Sequence, residues 1–188
     1  MMAENIRYLL ILDVESTCYE NGQEPKHFFS EIIEVGAVVF DVEERKIVEE
    51  YQCFVKPVLF PQLSDFCKKL TTISQDQVDQ GLSLFEAVRE LSHLSLKYQA
   101  LFCSWGYYDR RQFHSVCSRL KVPYPFSDQH ISLKHAHRDF YHLKRKMGMK
   151  AALKYHGLSL DGTHHRGIDD ARNIAKIVNQ MLSDGWRI

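Results

Sequence analysis

Residues Tyr8-Leu9-Leu10-Ile11-Leu12-Asp13-Val14-Glu15 form an apolar run that stops abruptly at two carboxylates one residue apart. A run of this kind fits a buried strand, and a strand sends alternate side chains to the same face. Asp13 and Glu15 therefore share a face at the strand's end. Two anions held that close raise one another's pKa unless a cation lies between them. Whatever the chain folds into has to balance that charge.

A chain of 188 residues, 45% hydrophobic and 26% charged, suits one globular domain over 1–188 with its core at about 8–182. The 24 basic and 24 acidic residues cancel. That argues against a general polyanion-binding surface, so any nucleic-acid contact must be local. Cys18, Cys53, Cys67, Cys103 and Cys117 are odd in number and lack C-x-x-C spacing. They read as reduced structural thiols rather than a zinc knuckle or a disulfide framework. The N-terminal apolar run is too short for a signal-peptide core or a membrane span. An intracellular, cytoplasmic location without a membrane partner is expected.

Ser16 to Pro25 is polar and turn-rich and reads as a loop leaving the first strand. Glu31–Phe40 and Ile47–Lys56 are extended by pattern, which gives three strands in an antiparallel meander. From Pro61 the period changes. Gln62–Leu70, Ser74–Gln80 and Ser83–Tyr98 show helical spacing, with Ser83 and Glu86 in a capping-box pattern. The short run Ala100–Ser104 lies between that helix and a helix over Asp109–Leu120, as happens around a parallel strand. His130–Leu133 reads as a last short strand, and Lys134–Tyr141 and Met149–His156 as helices. Ile168, Ala171, Ile174, Ala175, Val178 and Leu182 form one stripe of a closing amphipathic helix over Gly167–Leu182.

Two other acids stand at the edge of well-formed elements. Asp109 opens a helix, which taken alone is ordinary capping. Asp169 and Asp170 open the last helix; one can turn inward beside Ile174 while the other caps or faces solvent. His164 and His165 precede them, and His165 lies five positions before Asp170. Singly each feature is commonplace, whereas together they point to one site.

In order along the chain, Asp13-Val14-Glu15-Ser16-Thr17, Ser104-Trp105-Gly106-Tyr107-Tyr108-Asp109 and His165-Arg166-Gly167-Ile168-Asp169-Asp170-Ala171-Arg172-Asn173-Ile174-Ala175 resemble the three motifs of the DEDDh 3′-to-5′ exonucleases. The resemblance is strongest to the Eri-type exoribonucleases, the group with the 3′ exonuclease of histone mRNA, and to the bacterial KapD-like proteins. It extends through Glu31-Ile32-Ile33-Glu34 and Gln62 to Val78 and covers Tyr8 to about Leu182. It implies an α/β, ribonuclease-H-like fold with a central mixed five-stranded sheet flanked by helices.

The resemblance also implies metal-binding carboxylates at Asp13, Glu15, Asp109 and Asp170 and a general base at His165; the adjacent His164 and Asp169 are decoys, because helix register and the family's motif favour His165 and Asp170. The implied cofactors are two divalent ions, Mg²⁺ or Mn²⁺, about 4 Å apart, and hard ions of this kind prefer oxygen ligands. Ser16 and Thr17 would lie along the terminal nucleotide and Leu70 and Thr71 beside its base. Tyr108 would stack on a base, with Trp105 and Phe66 as further contacts. Relatives often carry Leu-Thr-Gly-Ile where this chain has Leu70-Thr71-Thr72-Ile73, so a branched residue replaces a glycine.

The expected partner is nucleic acid with a single-stranded 3′ end, RNA favoured. The expected reaction is hydrolysis of terminal phosphodiesters to nucleoside 5′-monophosphates. A DNA-directed exonuclease and a non-catalytic nucleic-acid-binding module on the same fold are the alternatives. The locally basic region containing Lys134, His135, His137, Arg138, His142, Lys144, Arg145 and Lys146 is a candidate phosphate track. No accessory nucleic-acid-binding domain is expected before Met1, and no protein partner is assigned.

Overall fold

The computed structural model describes residues 6–188. A five-stranded sheet in the order β3-β2-β1-β4-β5 forms its centre. β1 (Tyr8–Ser16), β2 (Ile32–Asp41) and β3 (Lys46–Phe54) make the expected antiparallel meander. β4 (Leu101–Ser104) runs parallel to β1, and the two-residue β5 (Ile131–Ser132) runs parallel to β4. The sheet is mixed and flanked by helices, as anticipated.

β1 is apolar from Leu9 to Leu12 because both of its faces are covered there. Leu9 and Ile11 pack with α7 (Gly167–Ser183), α5 (Leu133–Phe140) and α6 (Met149–Tyr155). Leu10, Leu12 and Val14 pack on the other side with α3 (Leu84–Tyr98) and α4 (Tyr108–Leu120). Asp13 and Glu15 continue the Leu9–Ile11 face, so both carboxylates meet the α7 side. All six residues of the expected α7 stripe are buried.

The three helices that follow β3 start where side chains cap them. α1 (Asp65–Thr71) begins three residues later than its periodicity indicated, because the Ser64 hydroxyl accepts the Cys67 amide at 2.9 Å. α2 (Gln75–Asp79) has a Ser74/Gln77 capping box that sequence reading missed, and α3 has the expected Ser83/Glu86 box. Thr72 closes α1 in the left-handed region at φ 60 and ψ 11. A β-branched residue is strained there.

The close contact that sets the geometry is between β2 and α7. A Cβ on Gly36 would lie 2.0 Å from the Gly167 carbonyl carbon and the Ile168 nitrogen. A Cβ on Gly167 would meet the Asp13 carbonyl oxygen and the Gly36 nitrogen, each at 2.9 Å. The helix thus reaches the sheet backbone directly, opposite Asp13, whose partner across the β1–β2 ladder is Gly36. Beside the contact, fully buried Glu34 accepts from Arg166 at 3.0 and 3.1 Å and from the Gly167 amide at 3.1 Å. The Arg166 guanidinium leaves no unpaired anion under the helix start.

Gly36→Ala is expected to force α7 off the sheet, at a cost of about 1–3 kcal/mol or more. Thermal unfolding checks it, and a melting temperature equal to that of the wild type contradicts the contact.

Candidate active site

The cavity at the end of β1 has a volume of about 450 Å³ and is lined by Asp13, Glu15, Asp109, Asp170, His164 and His165 together with Ser16, Leu70, Trp105, Tyr108 and Lys134. Three separate elements supply the acids. Asp13 and Glu15 come from β1, Asp109 from the first turn of α4, and Asp170 from the first turn of α7. Carboxylate oxygens of Asp13, Glu15 and Asp170 lie within 4.8 Å of one another. Asp109 is not used as a helix cap. Its carboxylate reaches back across the fold to accept the Val14 amide at 3.1 Å, which ties the α4 start to the strand that carries two of the other acids.

Burial dominates the electrostatics. Asp13 is pushed well above the usual carboxylate range, first by desolvation and then by Asp109, Glu15 and Asp170. Glu15 is pushed up to about 8 by burial and by the charges of Asp170 and Glu34. Asp109 rises to about 6, again chiefly through burial. Among the described residues no Lys or Arg pairs with Asp13, Glu15, Asp109 or Asp170, and Arg166 is committed to Glu34. This donor set is oxygen-only, anionic and convergent, and so fits a hard divalent cation. Ser16, whose buried hydroxyl has no hydrogen-bond partner among the described residues, lines the same space.

The two histidines engage Asp170 differently. The His164 ring nitrogen Nδ1 lies 3.1 and 3.0 Å from the Asp170 carboxylate oxygens. His165 instead donates its backbone amide to Asp170 Oδ2 at 3.1 Å. Its backbone is left-handed at φ 65, and the two rings stack with centroids 4.0 Å apart. Burial and the adjacent His164 hold His165 below its ordinary value. Asp169 turns away and accepts the Thr163 amide at 2.8 Å, so it fixes the preceding loop.

Of the expected substrate-contact residues, Ser16, Leu70, Trp105 and Tyr108 line the cavity. Trp105 is also core, with its indole N–H donating to the Met147 carbonyl at 3.1 Å. The Thr17 and Thr71 hydroxyls are occupied internally. Thr17 accepts the Glu31 amide at 2.9 Å, and Thr71 donates to the Cys67 carbonyl at 2.9 Å and accepts from Ile73 at 3.2 Å. Phe66 lines a neighbouring cavity of about 840 Å³ that shares only Leu70 with the acidic one. Lys134, expected as part of a basic phosphate track rather than of the acidic site, also lines this cavity. No helix among the described residues is long and apolar enough to cross a membrane.

A mixed sheet that delivers acids from β1, α4 and α7 to one buried point defines a nuclease-type acidic centre. Residues 10–178 match the RNase_T family, described as "Exonuclease". The chain belongs to that exonuclease family, whose DEDDh members depend on divalent metal. It is 35% identical over 191 residues to human "3′-5′ exoribonuclease 1", covering 96% of this chain and 54% of that protein. It is 31% identical over 176 residues to Bacillus subtilis "Probable 3′-5′ exonuclease KapD", covering 94% and 85%. The chain thus spans about half the length of the human relative.

Among solved structures, the nuclease domain of 3′hExo, a DEDDh family member bound to rAMP, superposes with a TM-score of 0.89 at 31% identity, covering 97% of this chain and 94% of that one. The 3′-exonuclease in a structure of histone mRNA stem-loop recognition gives 0.90 at 30% identity, covering 97% and 84%. These likenesses make the fold ribonuclease-H-like, as the motifs implied.

The raised carboxylates have a measurable consequence. Glu15 binds a proton more tightly in the folded chain than its ordinary value of 4.5 allows in the unfolded one. Its contribution is therefore complete below pH 4.5 and is lost as pH climbs through about 8. Asp13 shifts in the same direction. In chelator the melting temperature should fall over that window, and stabilisation by Mg²⁺ or Mn²⁺ should grow from pH 5 to pH 8. Glu15→Gln should shrink that growth; metal stabilisation independent of pH counts against the shared acidic site.

Proposed function

We propose that the chain is a metal-dependent 3′-to-5′ exonuclease that hydrolyses the terminal phosphodiester of single-stranded RNA, or of a 3′ overhang, and releases nucleoside 5′-monophosphates. The observation that carries the reading is the convergence of Asp13, Glu15 and Asp170, with Asp109 in the same cavity, beside two histidines. RNA is favoured because the similar proteins include a named exoribonuclease and a nuclease domain bound to rAMP.

Asp13, Glu15, Asp109 and Asp170 would hold the divalent ions, two of them Mg²⁺ or Mn²⁺ in this reading. Such ions supply Lewis acidity and a more acidic bound water. The work of the chain's own residues is positional and proton-transferring. Desolvation at β1 keeps the carboxylates poised for cations, and the Asp109 link to the Val14 amide keeps α4 in register with β1. His165 is the proton acceptor in this reading. Its depressed pKa leaves the imidazole neutral at pH 7 with a free lone pair. His164 is a positioning residue, holding Asp170 through Nδ1. Ser16, Thr17, Leu70, Thr71, Trp105 and Tyr108 remain the proposed contacts for the terminal nucleotide, Thr17 and Thr71 through the backbone they brace.

His165→Ala is expected to lower kcat by about 10²–10⁴-fold. It should also abolish the rise of activity with pH that accompanies deprotonation of the imidazole, a rise centred below the ordinary value of 6.5. His164→Ala should act less on kcat and keep that rise. Asp13→Ala should fold, bind a strand and lose cleavage. If His164→Ala proves the more damaging and removes the pH dependence, the two roles exchange.

Matched 3′-labelled RNA and DNA strands incubated with Mn²⁺, Mg²⁺ or chelator test the reaction itself. Loss of the 3′ nucleotide only with metal, and faster from RNA, is expected. Retention of the label under all conditions removes the enzymatic reading, and faster loss from DNA moves the substrate class.

A further inference from the structure

A terminal nucleotide in the acidic cavity leaves the rest of the strand to be guided out. Two exits are open. One passes Leu70 into the neighbouring cavity, where Glu20 and Asp65 oppose Lys69 and where Asp65 already holds Lys68 at 2.8 Å. The other passes over Lys134. The half-buried Lys134 lines the acidic cavity, its ammonium has no hydrogen-bond or ion-pair partner among the described residues, and its backbone amide is fixed to the Trp105 carbonyl at 2.7 Å.

Beyond Lys134 the surface is both aromatic and cationic. Tyr107, between the cavity-lining Gly106 and Tyr108, is 43% exposed. Its ring centroid lies 4.8 Å from that of His135. His135 is braced at Nδ1 by the Ser132 hydroxyl at 2.7 Å and meets the exposed Lys146 ammonium at Nε2, 3.2 Å away. Between residues 130 and 150 six cations, Lys134, Arg138, Lys144, Arg145, Lys146 and Lys150, stand against one acid, Asp139. In a chain of zero net charge the remainder is therefore acidic. Of the two directions, this one is the electrostatically favourable way out for a polyanion.

We propose that the nucleotides upstream of the 3′ end leave over this surface, with phosphates on Lys134 and Lys146 and a base against Tyr107. The platform is a subsite for single-stranded nucleic acid and rests on the reading that the terminal nucleotide occupies the acidic cavity. Base–aromatic stacking tolerates any sequence, and lysine–phosphate contacts make binding salt-dependent. Upstream binding of this kind would be indifferent to sequence and sensitive to length.

The experiment is binding of labelled single strands of two to eight nucleotides by fluorescence anisotropy in Ca²⁺ and in chelator, with wild type, Tyr107→Ala, Lys146→Glu, Lys134→Glu and Lys69→Glu. Affinity of the wild type should rise with length. Tyr107→Ala and Lys146→Glu should each cut that gain by about five- to tenfold. Lys134→Glu should flatten the log–log salt dependence by roughly 0.7 for each phosphate that is no longer neutralised. Lys69→Glu should keep the wild-type length dependence. Tyr107 and Lys146 are surface residues, and far-ultraviolet circular dichroism verifies that their variants fold. Unchanged length dependence in Tyr107→Ala and Lys146→Glu overturns the subsite, as does an equal or larger loss in Lys69→Glu. Binding does not require turnover, so a chain that binds in this pattern but leaves labelled RNA and DNA intact refutes the nuclease reading and retains the subsite.

Discussion

The approach of Gly167 to Gly36 is the constraint on which the rest of the structure depends. A helix kept at ordinary side-chain distance from a sheet stands about 10 Å from it, too far for a carboxylate in its first turn to share an ion with carboxylates on a central strand. Removing both Cβ atoms lets the start of α7 sit on the backbone of β1 and β2. Asp170, three residues into the helix, then reaches Asp13 and Glu15. Glu34 complements the contact from below. Buried opposite Glu15 in the β1–β2 ladder, it would add a further unpaired anion to the cluster if Arg166 and the Gly167 amide did not hold it. One glutamate thus neutralises the helix entry, fixes its orientation and leaves the acids above it as the site's uncompensated charge.

That division between compensated and uncompensated anions recurs across the molecule. Glu31 is also buried, but its oxygens accept the amides of Val58, Leu59 and Phe60 at 2.7, 2.9 and 2.7 Å, so it holds the segment after β3 in place. Asp41 is buried and tied to Arg7 and to the amides of Glu43 and Glu44, which keep it below the ordinary carboxylate range. Asp13 and Glu15 receive no such donors among the described residues and shift upward through burial and the neighbouring carboxylates. Glu31, Glu34 and Asp41 build structure and are satisfied by donors, whereas Asp13 and Glu15 at the cavity have none among the described residues.

Local periodicity made most of the fold legible. The apolar run of β1, the meander, the Ser83 cap and the α7 stripe are patterns of two or 3.6 residues that need no knowledge of distant chain. The start of α1 was misjudged because Gln62 and Leu63 fit the helical period, yet the Gln75 side chain captures the Leu63 amide at 2.9 Å and Ser64 caps instead. Pairings between residues far apart in the chain were invisible for the same reason. Nothing local links Gly36 to Gly167 or Glu34 to Arg166, and Asp109 looked like a cap because its partner, the Val14 amide, is 95 residues away. At the site, motif order pointed to the acids that the fold brings together, but Lys134 could not be told from its exposed neighbours without the strand β5 that precedes it.

The choice between His164 and His165 turns on a single backbone angle. Two neighbouring residues in extended chain point to opposite sides, so only one could approach Asp170. The left-handed turn at His165 instead brings both rings to the same side, stacked, and delivers the His165 amide to the carboxylate that His164 holds through its ring. An imidazole engaged at Nδ1 with a carboxylate is favoured as a donor and restrained in orientation. The ring stacked upon it has no hydrogen-bonded partner among the described residues, is depressed in pKa by burial and by its neighbour, and keeps a lone pair available. The strain of a non-glycine residue at φ 65 thus lies where it places two chemically identical side chains differently, one ring against the Asp170 carboxylate and the other stacked upon it.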